Sequence, residues 1–103
     1  MPVRVRVADP AEIPEGEGRE FVVGSRIVAV FRTATGWAAI DGICSHAGGP
    51  IAQGKVNGNV VTCPWHGWQY DLSTGHHCLN SRIQQSCFQI EEIGSDLFVT
   101  VPE

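Results

Sequence analysis

The chain has no apolar run longer than a few residues, far short of the ~20 that cross a bilayer as a helix. Nor has it a basic patch. Its seven cations, Arg4, Arg6, Arg19, Arg26, Arg32, Lys55 and Arg82, are scattered, so the electrostatic footprint of a nucleic-acid binder is missing. No h-region follows Met1-Pro2-Val3-Arg4-Val5-Arg6, so no secretory signal is expected and the cytoplasm is the default location. Cysteine is scarce as well: Cys44, Cys63, Cys78 and Cys87 are the only four. They could form two disulfides, but two of them stand beside histidines, which argues for metal. The other two, Cys78 and Cys87, read most simply as free thiols in a reduced cytosol, with a bridge between them the open alternative.

What is present suits one small domain spanning residues 1–103, near the lower size limit for burying an adequate core unaided. The formal charge is −4, and five acids (Asp9, Glu12, Glu15, Glu17, Glu20) lie between residues 9 and 20. Such acidity can steer a carrier toward basic docking surfaces or simply keep a solvated face soluble.

The pattern is all-β: short alternating runs separated by Gly and Asn. Val3, Val5 and Val7 share one face of a first strand. Asp9-Pro10-Ala11-Glu12 has the cap, proline and acid of a helix start, which Pro14 limits to about one turn. Gly24-Ser25 joins Phe21–Val23 to Arg26–Arg32, and a strand around Trp37–Ile40 follows. Asn57-Gly58 predicts a hairpin between Gly54–Val56 and Asn59–Thr62, and Gly94-Ser95 predicts the terminal one. Asp41–Ala52 is too glycine-rich for regular structure, and His76–Ser86 is irregular, with His76 and His77 expected to be exposed.

The chemistry concentrates between Cys44 and His66. Cys-Ser-His at 44–46 is followed by sixteen residues and then Cys-Pro-Trp-His at 63–66. Two short loops thus each offer one thiolate and one imidazole, which suit zinc, iron or an iron–sulfur cluster. Singly, each residue would read as a packed thiol or a satisfied polar side chain. A structural zinc site is the main rival for the set, since Cys₂His₂ is a standard zinc combination. Zinc fingers, however, pair like ligands, whereas here Cys and His alternate within each loop.

That alternation, with the flanks Cys44-Ser-His-Ala-Gly-Gly-Pro50 and Cys63-Pro-Trp-His-Gly-Trp-Gln-Tyr-Asp71, resembles the Rieske family, specifically its small soluble ferredoxins. The resemblance implies a β-sandwich base with a cluster-binding subdomain, residues 42–80, inserted between its strands. It implies one [2Fe–2S] cluster, with Cys44 and Cys63 on one iron and His46 and His66 on the other. Trp68 stands at the position of a serine, and Gly49 and Trp65 at the positions of a loop disulfide, in the high-potential respiratory branch. A potential near the bottom of the roughly −150 to +300 mV Rieske range is therefore expected. The family's proline-containing third loop has no counterpart in Cys78–Gln85. The implied role is an electron carrier, not an enzyme, passing single electrons from an NAD(P)H-dependent flavoprotein reductase to a terminal oxygenase. The alternative is a small subunit or accessory module of another oxidoreductase such as a nitrite reductase. A catalytic oxygenase domain would need a second, mononuclear iron site, and only His76 and His77 remain to supply its histidines.

Overall fold

The computed structural model describes residues 2–43, 48–65, 67–80 and 82–102. The first alternation becomes β1 (Val3–Ala8), with its valines half-buried and its arginines exposed. Arg4 pairs with Glu91 at 2.7 Å and Arg6 with Asp96. Both pairs are exposed, so solvent screening leaves each a minor contribution to stability. A single 3-10 turn, Pro10–Glu12, follows. The Asp9 carboxylate accepts from Ala11 N at 2.9 Å, and the Glu12 carboxylate accepts from Asp9 N at 2.7 Å. Ile13, ahead of Pro14, is extended at φ −118°, and the turn ends there.

Next come β2 (Gly18–Val23), β3 (Arg26–Thr33) and β4 (Gly36–Asp41), then a 3-10 turn at Ile51–Gln53. Three short strands, β5 (Lys55–Asn57), β6 (Val60–Thr62) and β7 (Gln69–Asp71), precede the terminal hairpin of β8 (Cys87–Ile93) and β9 (Asp96–Val101). Gly24, Gly58 and Gly94 open their hairpin turns at φ 63°, 62° and 61°, a region glycine enters without steric cost.

The middle hairpin differs by one residue from its sequence expectation. Asn57 pairs with Val60, so the turn is Gly58-Asn59 rather than Asn57-Gly58. Gly54 belongs to the preceding 3-10 turn, which it closes through its N–H to Ile51 O. That turn lies in part of the segment expected to lack regular structure.

Six strands form one sheet in the order β1-β9-β8-β4-β3-β2, and β5-β6-β7 form a second. Neighbours β4 and β8 are therefore separated in the chain by the whole small sheet. One core lies within the large sheet, between Val23, Val28, Val30 and Ala39 on one side and Leu97, Val99 and Val101 on the other. A second core lies on the opposite face of β3 and β4, where Ala29, Phe31 and Ile40 meet Ile51, Val61, Tyr70 and Leu72. The uninterrupted buried run Val28–Phe31 follows directly: β3 is covered on both faces, so it has no polar alternation.

Candidate metal centre

The small sheet and the end of β4 present two loops side by side. The first, after Ile43, is closed at its neck by an Ile43–Pro50 bridge, and Gly42 N donates to Ile27 O at 2.9 Å. The second is closed where Cys63 N donates to Trp68 O at 2.7 Å. Closed necks fix where a ligand leaves the scaffold, which a metal site requires.

Cys63 is 1% exposed and belongs to the core cluster with Phe31, Ile51, Val61 and Tyr70. A Cβ on Gly49 would lie 2.9 Å from Cys63 Sγ and 3.1 Å from Trp65 Cβ. The two loops therefore interlock at a position only glycine fits, with the Trp65 ring about half exposed over the junction. Trp68 is half-buried against the core, and His77 packs edge-on to it at 4.6 Å between ring centroids. His76 and His77 are both half-buried, not exposed as expected. His77 is drawn inward by its bridge to Tyr70 and by its N–H to Ile83 O.

Of the four residues singled out in the sequence, Cys63 is placed as described. Cys44, His46 and His66 lie outside the described residues. Among the described residues no three Cys, His, Asp or Glu side chains form a group that could hold a metal ion. What is described fits an iron–sulfur group: a buried thiol stands at the foot of one loop, and the other loop meets it through a side-chain-free glycine.

The third loop holds its shape without proline. Cys78 N donates to Gln69 O, Ile83 N to Asn80 O, and Gln85 N to Gly75 O at 2.9, 3.0 and 2.7 Å. Cys78 and Cys87 are free thiols. Partial burial, and secondarily the charge of Asp71, pushes the Cys87 thiol up, so it is a poor thiolate at neutral pH. The residue reasoning from sequence missed is Gln85, a buried amide beside the first loop. Nothing in its spacing distinguishes it from exposed Gln84.

Asp71 shapes the turn into that loop, accepting from Ser73 Oγ and from Ser73 N. These hydrogen bonds, led by the hydroxyl, hold its carboxyl below the usual carboxylate range. A depressed native pKa stabilises fully above the unfolded value of about 3.9 and is lost as pH falls through the native one. Asp71→Asn is expected to flatten the acid limb of a stability–pH curve below about pH 4 and to be less stable than wild type at neutral pH, the two curves converging as pH falls. Urea unfolding at stepped pH measures this.

A Rieske [2Fe-2S] domain model matches residues 3–91. The chain belongs to the Rieske [2Fe-2S] family. Domains of this family bind a [2Fe–2S] cluster, which settles the choice between iron–sulfur and zinc. A 3-phenylpropionate/cinnamic acid dioxygenase ferredoxin subunit of Shigella boydii is 29% identical over 97% of this Rieske chain and 95% of its own length. The ferredoxin of carbazole 1,9a-dioxygenase from Nocardioides aromaticivorans superposes with a TM-score of 0.86 at 26% identity, over 94% of this chain and 96% of that one. A Mycobacterium tuberculosis chain named as an NADH-dependent nitrite reductase small subunit reaches a TM-score of 0.92 over 100% and 98% of the two chains. At 16% identity that likeness speaks to fold alone. Among the described residues no helix is long and apolar enough to cross a membrane.

Proposed function

We propose that this Rieske protein is a soluble cytoplasmic ferredoxin, a carrier rather than an enzyme, that relays single electrons from an NAD(P)H-dependent flavoprotein reductase to a terminal oxygenase. The observation that carries the reading is the interlock of Gly49 with Cys63 and Trp65, which places a buried thiol under a thin cover. In this reading residues 42–80 are the cluster-binding subdomain, Cys44 and Cys63 hold one iron, and His46 and His66 hold the other. The cluster, when bound, accepts and donates one electron at a time. The chain's own residues keep the thiol dry, close the loop necks and limit water access through Trp65 and Trp68.

Dioxygenase ferredoxins at 29% and 26% identity over nearly full length support the oxygenase partner. The second reading, an accessory module of another oxidoreductase such as a nitrite reductase, shares the fold with a nitrite reductase small subunit, but a likeness at 16% identity carries no role. The full Cys44, His46, Cys63 and His66 set favours the carrier.

The described rim around the loops, comprising Ile43, Gly48, Trp65, Gly67 and Leu79, is exposed and uncharged. Such a surface suits a brief redox encounter burying less than ~1,200 Å². Glu15 and Glu17 are exposed on the segment before β2, away from these loops in the chain. Trp65→Glu or Gln69→Glu is expected to slow reduction by the cognate reductase about tenfold, a cost of ~1.4 kcal/mol, without releasing iron. Glu15→Gln is expected to change it less than twofold. Stopped-flow reduction with cluster content followed by absorbance decides, and a larger effect from Glu15→Gln would place docking on the base.

A further inference from the structure

After Ile40 the β4–β8 ladder stops: Ala39 pairs with Phe88 and Ile40 with Cys87. One further backbone bond continues it, Asp41 N to Ser86 O at 2.8 Å. Beyond that point the chain preceding β8 turns away, just where β4 runs into the loop carrying Cys44. Two carbonyls at this exit, Asp41 O and Ile43 O, receive a side chain instead of a strand. Gln85 Nε2 lies 3.1 Å from the first and 2.6 Å from the second. Gln85 is 3% exposed, so its amide makes these bonds out of water, where a missing donor is costly.

The Gln85 backbone is held just as firmly. Its N–H donates to Gly75 O at 2.7 Å, and its carbonyl occupies the space a Cβ on Gly75 would need, 2.1 Å away. Gly75 ends the turn after β7, and its N–H reaches Asp71 O at 2.6 Å. β7 in turn follows the loop that begins at Cys63. Gln85 thus joins the strand leaving the second loop to the strand entering the first.

We infer that Gln85 is a positioning residue for the cluster, its carboxamide holding the entry of the first loop in register with the second. The inference rests on the proposed assignment of Cys44 and Cys63 as ligands. Groups that orient metal ligands from behind typically change metal affinity 10–100-fold when removed. Gln85→Met keeps length and removes both N–H donors. Gln84→Met is the control, since Gln84 is exposed and its amide donates to Thr74 O, not to the first loop.

The experiment uses purified holoprotein. It compares the rate of iron loss to a chelator, the electron paramagnetic resonance g values after dithionite reduction, and the midpoint potential. Gln85→Met is expected to lose iron about tenfold faster or more and to shift both the g values and the potential, while Gln84→Met matches wild type. A structural role alone would lower the unfolding midpoint but leave g values and potential in place, and that result overturns the inference. If Gln85→Met does not fold, the wild type still decides. Side-chain amide protons of Gln85 that exchange as fast as those of Gln84 overturn it, and strongly protected ones support it. Wild-type protein lacking iron and sulfide would overturn the ligand assignment along with it.

Discussion

Cys63→Ala is expected to give protein with no visible iron–sulfur absorbance and neither iron nor acid-labile sulfide above background. Wild type should carry two of each per chain, the composition of a [2Fe–2S] cluster. The effect is all-or-none because an alanine offers no fourth ligand, and Cys63 has no freedom to be replaced from nearby. It is buried at the closed neck of its loop, and the described free thiols Cys78 and Cys87 are both exposed, on other segments. Cys78→Ala and Cys87→Ala should accordingly retain full iron. Because metal affinity held only by the folded state is folding free energy, the cluster-free variant should also unfold at lower temperature than its holo parent. Iron and sulfide analysis on material prepared without oxygen is the measurement. Full iron in Cys63→Ala, or stoichiometric zinc without sulfide in the wild type, would contradict the assignment.

Gly75→Ala is expected to be the most damaging single methyl addition in the described chain. Gly75 sits at φ 80°, and its Cβ would fall 2.1 Å from Gln85 O and 3.0 Å from Cys87 Sγ. Gly16, at φ 86°, has nothing within 4 Å of the same position. Both substitutions therefore share the left-handed backbone cost of roughly 1–2 kcal/mol, and only Gly75 adds a collision with backbone that cannot swing aside. Gly16→Ala should cost about 1 kcal/mol and Gly75→Ala about 4 kcal/mol or more, at the extreme of single-residue effects. Against a total stability of ~5–15 kcal/mol, the second loss leaves a marginal protein and loosens the contact on which Gln85 depends. Equilibrium urea unfolding of the two variants checks this, and equal midpoints would mean that the Gly75 turn yields more readily than its packing implies.

The sequence by itself determined whatever rests on neighbours along the chain. The 3-10 turn at Pro10–Glu12 was legible because Asp9, Pro10, Glu12 and Pro14 act on one another within six residues. The hairpins at Gly24 and Gly94 were legible because a two-residue turn needs a positive φ that glycine supplies. The middle hairpin was legible as a hairpin but not in its register, since Asn57, Gly58 and Asn59 all tolerate turns and only the partners of β6 choose among them. The candidate iron–sulfur donors stood out in the sequence because Cys and His at alternating short spacing carry chemistry independent of fold. Tertiary structure alone decided which sheet neighbours meet. It set β4 beside β8 across the whole small sheet, covered both faces of β3, and drew His77 under Trp68. It also gave Gly49 and Gln85 their places. A glycine that admits a distant sulfur, and an amide that answers carbonyls 42 and 44 residues away, leave no periodic trace, because their partners belong to other elements and come close only when the core closes.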